Sequence, residues 1–168
     1  MSLIMLIKVD FPAPFSPKRA IIIASSICEN IINIDSVNKN FYINNFKYFK
    51  SKMEEVDSVV YNLLSPLKGK YFLVYHPSLT YIADDYKLNQ IAIEQDGKEP
   101  SAYYMASVID IAKEQNIKII FYQKQYLGNS IAKIASEINA DTISYNPMAY
   151  NLPKSIVDIA QSMNKYIK

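Results

Sequence analysis

From Tyr71 onward the chain alternates short β-rich runs with helical stripes, and few architectures accommodate that alternation. The β-rich runs are YFLVY at 71–75, QIAI at 90–93, IKIIFY at 117–122 and TISY at 142–145. Between and after them lie helical patterns at about 78–86, 101–115, 127–138 and 153–167. Their apolar stripes are Met105, Val108, Ile109 and Ala112; Ile131, Ile134, Ala135 and Ile138; and Ile156, Ile159, Ala160 and Met163. Apolar residues at these spacings fall on one helix face. Four strands separated by helices predict an α/β fold with a four-stranded parallel sheet, right-handed crossovers and helices packed on it.

The upstream third reads differently. Pro12, Pro14 and Pro17 predict an extended segment followed by a helix start, with Ser16 as N-cap and Pro17 in the first turn. In that helix Ala20, Ala24, Ile27, Ile31 and Ile34 have the spacing of a buried stripe. A second helix is expected from a cap at Asp35 or Ser36 to about Leu64. Its stripe is Tyr42, Phe46, Phe49, Met53, Val56, Val60 and Leu63. At ~1.5 Å per residue it is on the order of 40 Å long. Two readings fit: a coiled-coil dimerisation helix, or a spine running along two lobes. Pro66 and Gly69 end it, which separates a helical segment, 17–66, from an α/β lobe, 67–168.

Charge and composition exclude several functions. There are 18 basic and 16 acidic residues in 168, a net charge of +2. No dense basic stripe is available to grip a phosphate backbone, so nucleic acid is not an expected partner. The glycines, Gly69, Gly97 and Gly128, are too far apart to build a phosphate-cradling loop. The single cysteine, Cys28, cannot form an internal disulfide or a multi-thiolate zinc site. Lys18, Arg19 and the apolar run before Cys28 suggest a lipoprotein signal, but the run is too short and Ile27 is not small. The residues as written therefore predict no export signal, and no run reaches the ~18 apolar residues of a membrane span.

Ligands of open α/β sheets sit beyond the carboxyl ends of the strands. The residues expected there are His76, Glu94, Gln123 and Asn146. His76 is the only histidine in the chain. A strand-end histidine is either a structural hydrogen-bonder or a metal ligand, and its position alone leaves both open. A tetrahedral site needs about four donors, more than this edge supplies, so any metal here takes further ligands from another lobe, another chain or water. Other constellations carry less. Asp84 and Asp85 are adjacent on a helix and point about 100° apart, and Glu54 and Glu55 read as solvated helix surface. No G-x-S-x-G elbow accompanies the histidine, so the expectation is that the chain is not an enzyme. The 14 tyrosines are expected mostly in core packing and interface cover.

The run from Pro66 to Ala102, PLKGKYFLVYHPSLTYIADDYKLNQIAIEQDGKEPSA, resembles the solute-binding proteins of zinc and manganese ABC transporters. In that family a Gly-Lys-x-Phe strand ends in a ligand histidine. A helix rich in aromatics follows (here Tyr81 and Tyr86), then a strand like QIAIE and a Glu-Pro-Ser turn, here Glu99-Pro100-Ser101. Upstream, Asn38, Tyr42, Asn45 and Phe49 keep the spacing of the family's linker helix; downstream, 119–147 matches its third strand, next helix and last strand. The resemblance covers about residues 10–168.

The resemblance implies half of a two-lobed metal receptor, with residues 1–16 as the end of a first lobe or an extended arm. It implies His76 as this lobe's ligand, with Zn2+ favoured over Mn2+ because imidazole suits zinc. The family's last ligand is an Asp after the final strand, and Asn146 occupies that position. Pro12 stands where another ligand histidine belongs, and proline cannot ligate. The implied partners are a divalent metal ion and a membrane ABC permease, at an extracytoplasmic location. The other reading is a degenerate or truncated relative acting as an interaction or structural protein, with a homodimer through the long helix.

Overall fold

The computed structural model describes residues 15–95, 97–125 and 129–167. The expectations for Pro12, Pro14 and the arm around them, and for the start of the helix at 127–128, lie outside these residues.

Helix α1 spans Pro17–Ile34, and α2 spans Lys39–Leu64. A 3₁₀ turn at Ser65–Leu67 leads into the lobe. There the order is β1 (Tyr71–Val74), α3 (Thr80–Tyr86), β2 (Asn89–Ala92), α4 (Ala102–Glu114), β3 (Ile119–Gln123), α5 (Asn129–Ile138), β4 (Asp141–Tyr145) and α6 (Leu152–Tyr166). All strand pairs are parallel, in the order β2-β1-β3-β4. The expected α/β architecture is the observed one. Among the described residues no helix is long and apolar enough to cross a membrane.

Strand alternation divides the core into two layers. Phe72, Val74, Ile119, Phe121 and Tyr145 pack with Ile82 and Tyr86 of α3, Ile156, Ile159 and Met163 of α6, and Val60 and Leu64 of α2. On the other face Leu73, Tyr75 and Ile120 pack with Val108 and Ala112 of α4 and with Ile131, Ile134 and Ile138 of α5. The last turns of α2 are thus part of the lobe's own core. The seven residues of its predicted stripe are all buried or half-buried, and the 26-residue helix is about 39 Å long.

Three local expectations change. The α1 stripe is rotated: Ala20 is buried, but Ile27 is exposed and Ile34 is 77% exposed. Past its first turn α1 packs on α2, and no α1 residue beyond Ala20 is fully buried; Ala24 and Ile31 of the expected stripe are half-buried. The α2 start moves to Lys39, with Asn38 as N-cap, because Asp35 organises the preceding turn instead of capping. Its carboxylate accepts from the Asn38 side-chain amide at 2.8 Å and from the Tyr42 hydroxyl at 2.7 Å. Finally, β3 starts at Ile119 rather than 117, since the Ile117 N–H closes the end of α4 on Ala112 O at 2.8 Å.

Candidate metal-ligand site

The strand order fixes where a ligand crevice lies. The chain leaves β1 toward β2 on one side and returns on the other side to place β3, so the sheet's direction of growth reverses between β1 and β3. Ligands of open α/β sheets bind beyond the carboxyl ends of the strands at such a reversal. His76 follows β1 and Gln123 ends β3, so these two residues flank it.

Register explains which side chains meet. Val74 pairs with Ala92 of β2 and with Phe121 of β3, and Gln123 pairs with Tyr145. Extending those ladders by two residues sets Glu94, His76, Gln123 and Tyr145 in one row across the carboxyl edge. Residues in register on parallel strands point to the same face, here the face covered by α3 and α6.

Within this row His76 Nδ1 lies 2.6 Å from Glu94 Oε1. The His76 side chain is 37% exposed while the Glu94 carboxylate is 4% exposed. The two groups are within hydrogen-bond distance, so the carboxylate faces the Nδ1 side of the ring. The loop after His76 is held at two points. Ser78 N–H donates to His76 O at 2.7 Å, a tight turn around Pro77, and Ser78 Oγ hydrogen-bonds Tyr145 OH at the end of β4. Next to the row, Tyr75 OH donates to Glu99 Oε1 at 3.1 Å, which secures the Glu-Pro-Ser segment. Burial first, then the Glu99 bond, raises the Tyr75 phenol above its ordinary value, so it stays a neutral donor. Gln123, itself buried, accepts at its side-chain oxygen from Gln125 Nε2 at 2.7 Å.

Asn146 sits one residue past the row. It is exposed, and its side-chain oxygen accepts from Met148 N–H at 3.0 Å, which shapes the turn after β4. From His76 it is two strand spacings away, roughly 10 Å at the sheet edge. It also lines a groove of about 290 Å3 between β4 and α6, with Lys124, Lys154 and Asp158, which His76 does not reach. No group of three or more His, Cys, Asp or Glu side chains able to hold a metal occurs among the described residues. The edge therefore offers one imidazole backed by a buried carboxylate, and an amide two strands away.

The sequence identified Glu94, His76 and Gln123 of this row but chose Asn146 where Tyr145 stands, and it did not reveal the pairing of His76 with Glu94, nor Tyr145 and Ser78 as the loop's anchors. The registers of β1 with β2, of β1 with β3 and of β3 with β4 bring these together. The signal available beforehand was weak: a Glu after QIAI and a Tyr at the end of TISY.

Comparison with known proteins agrees with this fold. Residues 13–167 match the family described as zinc-uptake complex component A, periplasmic (ZnuA). The high-affinity zinc uptake system protein ZnuA of Bacillus subtilis is 30% identical over 125 residues, which is 73% of this chain and 39% of that protein. The zinc-binding lipoprotein AdcA of Streptococcus pneumoniae is 29% identical over 138 residues, or 79% of this chain and 27% of that one. A ZnuA crystal structure superposes with a TM-score of 0.85 at 33% identity, covering 90% of this chain and 60% of that one. This chain thus spans less than two thirds of each of these relatives, and 39% and 27% of the two curated ones. They are named for zinc uptake and zinc binding, not for a reaction. The match over 13–167, together with the shared fold, places this chain in the zinc-uptake complex component A family.

Proposed function

We propose that this chain is the C-terminal lobe, with its long connecting helix, of the solute-binding component of an ABC uptake transporter for zinc. His76 contributes one imidazole ligand to the cargo ion. The observation that carries the reading is the location of the only histidine: it stands at the reversal point of the sheet, partly exposed, with its ring oriented by Glu94. Zinc accepts imidazole nitrogen in sites of about four donors, and donors beyond this lobe complete the set. Asn146 is the second candidate at the same edge, since its amide oxygen keeps a lone pair after accepting from Met148 N–H. Zinc is preferred to manganese because imidazole is the softer ligand and because the relatives above are named for zinc.

The helical segment supports a missing partner surface. Ile22, Ile27, Ile34, Val37, Phe41 and Tyr48 are exposed apolar side chains on α1, on α2 and in the turn between them, which a first lobe packed along the spine would cover in part. On this reading residues 17–66 are linker and 67–168 the lobe. The partners are the divalent ion and a membrane permease, outside the cytoplasm. The same apolar surface favours one other reading, an interaction protein that dimerises through α2 and binds no metal.

A zinc-competition titration of the chain and of His76→Ala separates these readings. The expected result is only weak zinc binding by this chain alone, since donors beyond this lobe complete the set, and that binding disappears in the variant while its circular dichroism is unchanged. Binding that survives the substitution, or no zinc binding together with a concentration-dependent mass in sedimentation, overturns the metal reading.

A further inference from the structure

We infer that the outer edge of β4 is a self-pairing surface, on which a second copy of this chain adds its own β4 antiparallel about a two-fold axis at Ile143. The strand order ends on β4, and among the described residues no strand lies beyond it. Its ladder with β3 uses alternate residues. Asp141 N–H donates to Lys118 O at 3.0 Å, and Tyr145 O accepts from Lys124 N–H at 3.1 Å. Asp141, Ile143 and Tyr145 therefore turn their backbone groups toward β3, and Thr142 and Ser144 turn theirs outward. Both of these residues are exposed. An outward row of N–H and C=O groups is a template for another strand. The groove between β4 and α6 runs along the same strand, from Ile143 and Ser144 to Ser155 and Ser162 of the helix, and leaves room there for an added strand's side chains.

Self-complementarity selects the occupant. With the axis at Ile143, Thr142 of one copy stands opposite Ser144 of the other, and the two exchange both N–H···O bonds. The symmetry repeats the exchange and closes the interface. Each such pair also sets a threonine hydroxyl beside a serine hydroxyl, a favourable cross-strand combination. The charges agree with the direction. Asp141 is exposed at the start of β4, and Lys124 is exposed beside its end. Antiparallel pairing carries Asp141 of each copy toward Lys124 of the other, whereas parallel pairing would set Asp141 against Asp141. A five-residue ladder is small, in the range of weak and transient complexes. The inference does not depend on His76, and its test needs no metal.

The experiment is sedimentation of the chain from ~10 μM to ~1 mM, the range over which weak complexes dissociate, with 15N amide spectra of the same samples. The expected result is a reversible monomer–dimer equilibrium in which the Thr142 and Ser144 amides shift with concentration. Asp141→Lys, which opposes Lys124 of the other copy, is expected to weaken association ~10-fold, and Asp141→Lys with Lys124→Asp to restore it. Ser144→Pro removes one outward N–H, leaves the ladder with β3 intact and is expected to abolish the dimer. Circular dichroism of each variant checks that the fold is kept. A chain that stays monomeric throughout, a dimer whose shifts map to α1 and α2, or one indifferent to both Asp141→Lys and Ser144→Pro overturns the inference.

Discussion

Replacing Tyr86 with Phe tests how the long helix is joined to the lobe. Tyr86 OH, at the end of α3, donates to Asp57 Oδ1 of α2 at 2.6 Å, and the ring around it is 5% exposed. A hydrogen bond to a charged acceptor contributes ~1.5–3 kcal/mol. Asp57 is only half-buried and can rebond to water, so the expected loss falls at the low end, about 1–2 kcal/mol. For a chain of this size that lowers Tm by ~2–8 °C. With an m-value of ~2 kcal/mol/M, the urea midpoint falls by ~0.5–1 M at constant m.

A double-mutant cycle of Tyr86→Phe with Asp57→Ala, followed by urea unfolding, isolates the pair. The cycle has a pH signature. Burial first, then the Asp57 bond, pushes the Tyr86 phenol well above its ordinary value. The unfolded chain therefore loses this proton near pH ~10 while the folded chain keeps it. Stability from Tyr86 is fully present below that pH and is lost as pH rises beyond it. The gap between wild type and Tyr86→Phe should narrow above pH ~10. A coupling energy near zero, or a gap that widens with pH, refutes the assignment of this bond as a tie between helix and lobe.

Two further substitutions probe the lobe itself. Phe121 is fully buried, with its ring edge-to-face to Phe72 at 5.9 Å and Tyr145 at 6.5 Å, so Phe121→Ala is expected to cost ~3–5 kcal/mol in urea unfolding; a loss under ~1 kcal/mol would show that this layer is not tightly packed. Ser101 caps α4 by accepting from Tyr104 N–H at 3.2 Å. Ser101→Ala should cost ~1 kcal/mol in thermal unfolding and Ser101→Thr much less, and equal effects would remove the cap from the account.

How much of this was legible in the sequence depends on the distance over which each feature is encoded. The helical stripes of α4, α5 and α6 and the strand cores depend on local period and were readable residue by residue. The α1 stripe was not, because which side of a helix is covered depends on what packs against it, and Ile27 and Ile34 face away from α2. The site divides the same way. His76 at the end of β1 follows from one strand boundary. Its meeting with Glu94 requires the register of β1 with β2, and its place at the sheet's reversal requires the strand order. Asn146 illustrates the sensitivity: the register row ends on Tyr145, one residue before the position that the strand-end reading chose.

The α2 helix has one further consequence. It is one continuous helix, but its burial is uneven: Met53, Val60 and Leu64 lie in the interior, whereas no residue before Met53 does. Opening a backbone amide near Leu64 means dismantling the lobe's core, while opening one near Phe41 disturbs only contact with α1. Local opening free energies span that whole range in folded proteins. A single continuous helix thus holds two populations of amides with very different exchange lifetimes, fast toward Lys39 and as slow as global unfolding toward Leu64. Any body docking along α1 and α2 would register first as a slowing of the fast half.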